Sequence, residues 1–312
     1  MITQDDFYTI GIDIGGTKTE TALLDAEGQI LHSHYQLLGS SRTPETIVNQ
    51  IIDSINICQK ESGKKASAVG IGIAGQVTKS GDMVRFSPNL PYWVDVPLKD
   101  MVRNTAGLPV FVSNDVRMIT WGEWKHGAGQ GFNDLVCVFV GTGVGGGIVS
   151  GGHLLEGDAN TAGEIGHMTI VSGGRKCHCG NEGCLEAYAG GWAIAERAQN
   201  AVKANHQDGT GLLKISGDIS DISAVTVSEA YNNNDPLAHR LIKDTSRYLS
   251  AGIISIVNAF NPRLIILGGG IIQGIPELAS MVEKQVKEKA LPSAVENLSI
   301  TISKLRNKAG II

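Results

Sequence analysis

Three segments of the chain share one arrangement, in which an apolar run leads into a glycine-rich turn and a second apolar run follows. The segments are YTIGIDIGGTKTETALLD (8–25), ASAVGIGIAGQVTKSGDMVRF (66–86) and LVCVFVGTGVGGGIVSGG (135–152). The first and third also place an acidic or hydroxyl residue beside the turn glycines: Asp13 with Gly15, Gly16 and Thr17, and Thr142 with Gly141 and Gly143. A motif repeated in this way predicts that the fold uses one unit twice, once in each of two domains.

Helices are predicted between these strand-like segments. Thr43 and Pro44 open a run with its apolar residues on one face at helical spacing, and Asp235 and Pro236 open a long helix that ends before Pro262. A buried strand, PVFVSND, leads directly into a further helical run, VRMITWGEWKHG. Strands, helices and glycine turns mixed in this manner indicate an α/β fold.

The chain is long enough for two hydrophobic cores. It has 312 residues, of which 42% are hydrophobic and 18% charged, and no low-complexity linker divides it. The domain boundary is therefore expected inside ordered structure, near residues 117–122. This predicts a smaller N-terminal α/β domain at 1–118 and a larger C-terminal α/β domain at 119–312.

Composition and charge argue against several kinds of partner. The formal net charge is -5 and lysine and arginine form no block, so the chain lacks the basic field that attracts nucleic acid. No apolar run approaches the roughly eighteen residues of a membrane span, and the N-terminus carries aspartates where a secretory leader would be basic. A cytoplasmic protein without a nucleic-acid or membrane partner is expected.

The glycine turns are candidate phosphate-binding loops. Glycine lets backbone N–H groups approach a ligand closely, and Asp13 ends a strand at a place suited to a carboxylate that holds Mg²⁺ through water. LGGGI (267–271) would form a third glycine surface. Neither the Walker spacing nor the dinucleotide fingerprint is present, and each turn taken singly is equally consistent with a plain hairpin. A nucleotide would have to be held from two sides.

Seven short motifs follow one another along the chain: DIGGTK, SPNL, SND, GTGVGGG, GEIGH, CHCGNEGCLE and NPRLIILGGG. This series resembles the actin, hexokinase and acetate kinase superfamily and, within it, the ROK family of sugar kinases. The resemblance implies a two-domain actin-like ATPase (ribonuclease H-like) fold with an interdomain cleft. It also implies phosphorylation of a sugar hydroxyl, usually O6 of a hexose, by ATP and Mg²⁺.

The same resemblance assigns roles to individual residues. Asp115 would be the general base. The sugar would be bound by Asn89, Asn114, Asp115, Glu164, His167 and Glu186. Phosphates would be held by Gly15, Gly16, Thr17, Thr142, Gly143 and Gly145, with Gly269 and Gly270 beside the adenosine. Asp13, for Mg²⁺, and Lys18, beside the first turn, complete the predicted nucleotide site. For Asn114 and Asp115 a plain helix cap is the alternative, and both roles are compatible.

Three of the five cysteines, Cys177, Cys179 and Cys184, fall within eight positions, and His167 lies ten residues before the first of them. A compartment that keeps thiols reduced makes a disulfide framework a poor explanation. A Cys₃His set suits Zn²⁺, and four protein ligands close the site, so a structural zinc is predicted in the loop 167–184. His178 is predicted to be a surface residue.

The identity of the sugar stays open at the level of sequence. Glucose is favoured, and N-acetylmannosamine and N-acetylglucosamine are the alternatives, because one contact around C2 decides whether an acetamido group fits. A sugar-responsive transcriptional repressor of the same family is disfavoured, since the first glycine turn begins too early for a preceding helix-turn-helix domain. A homodimer or higher homo-oligomer is expected. Members of the family normally continue into a final helix beyond the position of Ile312, so the expectation is that this chain either is shortened there or naturally lacks that helix.

Overall fold

The computed structural model describes residues 7–312, which form two compact units. The first unit runs to Gln130 and also contains Glu156–Ala162 and Asn307–Ile312. The second contains Gly131–Leu155 and Gly163–Arg306.

The first unit is built on a five-stranded sheet. Its elements are β1 (Thr9–Ile14), β2 (Lys18–Leu24), β3 (Ile30–Leu37), α1 (Pro44–Ser62), β4 (Ala68–Ile73), β5 (Gln76–Val77), β6 (Val84–Phe86), β7 (Val94–Val96), α2 (Leu98–Ala106), β8 (Val110–Asn114) and α3 (Asp115–His126). The strand order is β3-β2-β1-β4-β8, with β1, β4 and β8 parallel and the β1–β2 and β2–β3 pairs antiparallel. The short strands β5, β6 and β7 form a separate antiparallel sheet.

Local sequence explains where α1 begins and ends. The Thr43 hydroxyl accepts a hydrogen bond from the Thr46 N–H at 3.4 Å. Pro44 occupies the first turn, where backbone N–H groups have no partner within the helix, so proline loses no hydrogen bond there. The helix ends at Gly63, which has a φ of 67°. Between these ends an apolar face, which includes Ile47 and Ile51, is buried. The predicted helix is therefore present with the predicted cap.

The predicted division near residues 117–122 falls inside α3. A side-chain carbon built on Gly72 of β4 would lie 3.5 Å from the Cβ of Met118, so this helix packs closely against the sheet of the first unit. Because of that packing all of α3 belongs to the first unit, which continues to Gln130.

The end of the chain also belongs to the first unit. Ile311 is buried and packs with Ala22 and Leu24 of β2. The segment Asn307–Ile312 thus covers part of one face of the sheet.

The second unit repeats the same sheet topology. Its elements are β9 (Leu135–Val140), β10 (Val144–Ser150), β11 (His153–Leu154), α4 (Glu186–Ala189), α5 (Gly191–Ala204), α6 (Thr210–Ser216), α7 (Ala224–Asn232), α8 (Pro236–Phe260), β12 (Leu264–Gly268), α9 (Gly270–Gly274), α10 (Glu277–Lys289), α11 (Pro292–Val295) and β13 (Ser299–Ile302). The order is β11-β10-β9-β12-β13, with β9, β12 and β13 parallel and the β9–β10 and β10–β11 pairs antiparallel. The prediction that one motif is used twice is confirmed by these matching sheets.

Helix α8 forms much of the second core. Asp235 caps it by accepting the Ala238 N–H at 2.9 Å, and Pro236 is its first residue. Its buried face includes Leu249 and Ile253, which pack in one cluster with the strands β9 and β12. Over residues 7–312, none of the helices combines the length and apolar character needed to cross a bilayer.

Candidate functional site

Asn114 and Asp115 lie where β8 passes directly into α3. Asn114 is the helix cap, since its Oδ1 accepts the Arg117 N–H at 3.2 Å and its Nδ2 donates to the Gly75 carbonyl at 3.1 Å. Asp115 is half-buried, and its Oδ1 accepts the Val116 N–H at 2.9 Å. The cap alternative is therefore correct for Asn114, and the same bonds hold both side chains at the carboxyl end of the parallel strands.

Asp13 lies at this same end of the first sheet. In the strand register it is opposite Gly72 of β4, which is in turn opposite Ser113 of β8. Burial raises the pKa of Asp13 to about 6, and the negative charge of Asp115 is the second cause of the rise. Two carboxyl groups within electrostatic range of each other provide a favourable environment for a divalent cation.

The first glycine turn joins β1 to β2 as a hairpin. The Gly15 N–H donates to the Lys18 carbonyl at 2.9 Å. A side-chain carbon built on Gly16 would lie only 2.8 Å from the Cβ of Asn89, so the absence of a side chain lets Asn89 lie against the turn. The structure thereby brings a predicted sugar ligand beside a predicted phosphate loop. Asn89, Thr17 and Lys18 are all exposed.

The second glycine turn, between β9 and β10, is the counterpart of the first. The Gly141 N–H donates to the Gly143 carbonyl at 2.9 Å, and Thr142 between them is exposed. Glu186 Oε2 accepts the Val144 N–H at 2.9 Å, and any side chain on Gly143 would clash with that oxygen. The predicted sugar-binding carboxylate of Glu186 is thus bonded to the predicted phosphate turn.

The remaining predicted phosphate and adenosine residues are glycines of the second unit. Gly145 lies in β10 and is half-buried. Gly269 follows β12 with a φ of 89°, and Gly270 begins α9. A side-chain carbon built on Gly270 would have nothing within 4 Å, so the backbone there is open to a ligand.

Glu164 and His167 flank a short 3₁₀ helix, Ile165–His167, in the second unit. Ile165 and Gly166 are buried against β10, which anchors this helix. Glu164 is exposed and His167 is half-buried.

Four donor atoms of the kind that binds Zn²⁺ lie together in the second unit. One ligand atom from each of His167, Cys177, Cys179 and Cys184 lies within 4.8 Å of the other three. Cys177 Sγ is 3.8 Å from His167 Nδ1, and Cys179 Sγ is 3.7 Å from Cys184 Sγ. Tetrahedral Zn²⁺, with bonds of about 2.3 Å to sulfur and about 2.0 Å to nitrogen, requires donor separations of about 3.5–3.8 Å. The two separations of 3.7 and 3.8 Å agree with that range, and the four donors as a set lie within 4.8 Å of one another, so the cluster is a candidate Zn²⁺ site.

Trp192 contacts a predicted site residue, Glu186, and was not itself predicted from the sequence. Its indole Nε1 donates to Glu186 Oε1 at 3.3 Å, and its ring stacks on His178 with centroids 4.1 Å apart. His178 is exposed, as predicted, but it has this ring partner. The only available signal was the position of Trp192 six residues after Glu186, and helical spacing does not predict such a contact.

A sequence model of the ROK family matches residues 9–312. A glucokinase of Streptomyces coelicolor is 35% identical over 306 residues, which cover 97% of this chain and 95% of that protein. A glucokinase of Thermotoga maritima is 32% identical over 303 residues, which cover 97% of this chain and 94% of that protein.

The crystal structure of a ROK family glucokinase from Streptomyces griseus, in complex with glucose and AMPPNP, is also similar. It matches with a TM-score of 0.85 and 35% identity, over 97% of this chain and 96% of that chain. The chain belongs to the ROK family, and its fold is the two-domain actin-like ATPase fold predicted from the sequence.

Proposed function

We propose that this chain transfers the γ-phosphoryl group of ATP to the O6 hydroxyl of glucose. The two glucokinases named above match nearly its whole length, and the similar Streptomyces griseus glucokinase binds glucose with AMPPNP. The observation that carries the proposal is the Asn114–Asp115 pair, held at the carboxyl end of parallel strands with the Asp13 carboxyl within electrostatic range.

Asp115 is the proposed general base. As O6 of the sugar attacks the γ-phosphorus, the O6–H bond breaks, its proton passes to the Asp115 carboxylate, and ADP leaves. Phosphoryl transfer requires mainly alignment and charge neutralisation, and a positioned base adds about 10²–10⁴-fold. One oxygen of the Asp115 carboxylate already accepts the neighbouring Val116 N–H, which restricts the orientations of the side chain before the sugar binds.

Sugar binding requires groups that match paired hydroxyl donors and acceptors. From the first unit we assign Asn89 and Asn114 to this role, and from the second Glu164, His167 and Glu186. Carboxylates form charge-assisted hydrogen bonds with hydroxyls, which are shorter and stronger than neutral ones. Asn114 and Glu186 are supported most directly, because their side chains are already fixed by hydrogen bonds.

The nucleotide is assigned to the glycine turns. Phosphate oxygens would accept hydrogen bonds from the backbone N–H groups of the two glycine turns, near Gly15, Gly16, Thr17, Lys18, Thr142, Gly143 and Gly145. The adenosine would lie near Gly269 and Gly270. Asp13 would hold Mg²⁺ through water, and this ion would neutralise charge on the phosphates.

The Cys₃His cluster is assigned to a structural zinc ion. All four positions of a tetrahedral ion would be filled by protein, so the metal would order the loop 167–184 rather than react. His167 belongs to both assignments, as a sugar-site residue and as a metal ligand.

A panel of sugars tests the function. Purified protein with ATP and Mg²⁺ should release ADP with glucose, and the expected order places N-acetylmannosamine and N-acetylglucosamine behind it. A gel-shift assay with operator-like DNA tests the repressor alternative. ADP release that no sugar stimulates would refute the proposal. A homodimer or higher homo-oligomer in the cytoplasm is part of the same proposal. Light scattering measures the assembly, and cell fractionation measures the location.

A further inference from the structure

Both oxygens of the Glu186 carboxylate have N–H partners on different elements of the second unit. Oε2 accepts the Val144 backbone N–H at 2.9 Å, and Oε1 accepts the Trp192 indole N–H at 3.3 Å. A glutamate side chain free at both oxygens rotates readily about its last bond. Here each oxygen keeps one partner, so the plane of the carboxylate is defined while further lone pairs stay available for hydroxyl groups.

Trp192 is itself held from two directions. Its backbone N–H donates to the Thr142 carbonyl at 3.0 Å, which ties the start of α5 to the second glycine turn. Its ring stacks on the imidazole of His178, with centroids 4.1 Å apart and an interplanar angle of 27°. His178 lies between Cys177 and Cys179, so the indole touches both the metal-ligand loop and Glu186.

We infer that Trp192 is a positioning residue for sugar binding, an inference that rests on the proposed function. Its indole N–H orients the Glu186 carboxylate towards the sugar, and its stacking on His178 links that orientation to the loop 167–184. Ordering a mobile carboxylate when the sugar binds costs free energy. A carboxylate that is already oriented avoids this cost, so the sugar binds more tightly.

A purely structural role predicts a different outcome from a positioning role. Gly191 at the start of α5 donates its N–H to the Gly141 carbonyl at 2.9 Å, and the Trp192 N–H contact to Thr142 is also made by backbone. These bonds do not depend on the indole. Loss of the indole N–H alone should therefore leave the helix in place and change only the bond to Glu186.

Trp192→Phe makes that change, because phenylalanine keeps a ring for stacking but has no N–H. The KM for glucose should rise about three- to tenfold, the net effect of about one ordinary hydrogen bond, because glucose must then orient a Glu186 carboxylate that has lost one of its two partners. The kcat, the KM for ATP and the zinc content should stay within error of wild type, and the melting temperature should fall by no more than about 2–3 °C, as expected for one hydrogen bond. Trp121→Phe is the matched control, since Trp121 is 43% exposed in α3 and has no role in the proposed site.

His178→Ala tests the link to the loop. It should raise the KM for glucose by a smaller factor than Trp192→Phe. In the double variant it should add nothing, because its effect passes through the indole N–H that is already absent. Additive effects of the two substitutions would refute the link.

An active wild type whose Trp192→Phe variant keeps the same KM for glucose would refute this inference alone. If Trp192→Phe raised the KM for glucose and the KM for ATP equally and also lowered the melting temperature markedly, Trp192 would have a structural role, and the inference would be refuted as well. A wild type with no glucose-dependent ADP release would instead refute the proposed function.

Discussion

The Arg117 guanidinium donates a hydrogen bond to Oδ1 of Asn160, which joins the first turn of α3 to the segment Glu156–Ala162. Asn160 Nδ2 donates to the Val77 carbonyl at 2.9 Å and to the Thr78 carbonyl at 3.3 Å. The Asn160 backbone has a φ of 60°, a conformation that few residues other than glycine and asparagine adopt. One side chain thus holds this segment on the first unit, only four residues before Glu164.

Asn160→Gly should lower the melting temperature by about 3–6 °C, because three hydrogen bonds disappear while glycine accepts the backbone conformation without strain. Arg117 is buried, so its guanidinium loses a partner that water cannot easily replace. Thermal unfolding followed by circular dichroism measures the change.

Asn234→Gly is the matched control, because Asn234 has the same φ of 60° but is exposed. It should shift the melting temperature by about 1 °C or less. Equal shifts in the two variants would mean that backbone conformation, and not the Asn160 side chain, accounts for the loss.

Asp115→Asn should reduce kcat about 10²-fold or more, since an amide cannot accept the proton of the sugar hydroxyl. Folding should be retained, because the amide oxygen can still accept the Val116 N–H that Asp115 now accepts at 2.9 Å. A coupled ADP-release assay gives kcat, and calorimetry checks that glucose still binds. A variant with more than about a tenth of wild-type kcat would exclude Asp115 as the base.

The raised pKa of Asp13 predicts that the stability of the folded chain depends on pH. This pKa is raised from 3.8 to about 6 in the folded chain, first by burial and then by the charge of Asp115. The folded state thus favours the protonated form, and this stabilising contribution is complete below pH 3.8 and lost as the pH rises through about 6. At pH 8 the ionised carboxylate should cost about 1–3 kcal/mol of folding free energy.

Asp13→Asn should therefore melt at a higher temperature than wild type at pH 8, and the difference should shrink towards pH 4.5. The measurement is made without nucleotide and Mg²⁺, because a bound cation would stabilise the carboxylate. A difference that does not change with pH would show that the titration of Asp13 is not its cause.

Local signals explain most of what the sequence predicts correctly. Thr43 with Pro44, and Asp235 with Pro236, mark helix starts through caps that need only neighbouring residues. The repeated strand, turn and strand pattern predicts the β1–β2 and β9–β10 hairpins for the same reason. Turn residues and apolar alternation can be recognised within a few neighbouring residues, so these elements are predictable without knowledge of distant contacts.

Contacts between distant residues could not be predicted in this way. The Arg117–Asn160 bond joins positions 43 residues apart, and Ile311 packs on β2 from the other end of the chain. Neither side chain carries a pattern that identifies its partner. The family resemblance implied Glu186 as a sugar ligand but not its link to Trp192, because an indole that donates to a carboxylate leaves no periodic signal in the sequence.

Removal of the proposed zinc ion should impair sugar recognition and leave nucleotide binding nearly unchanged. Cys179 is exposed and its Sγ lies 3.7 Å from that of Cys184, so Cys179→Ser removes one ligand without opening a buried cavity. The KM for glucose should rise about tenfold with the KM for ATP constant, because the loop that carries His167 and adjoins Glu186 loses its order. Cys58→Ala is the control, since this buried thiol lies in the first unit and should leave about one zinc per chain. Active wild-type protein that contains no zinc by mass spectrometry would contradict the assignment, as would equal increases in both KM values after chelation of a chain that stays folded.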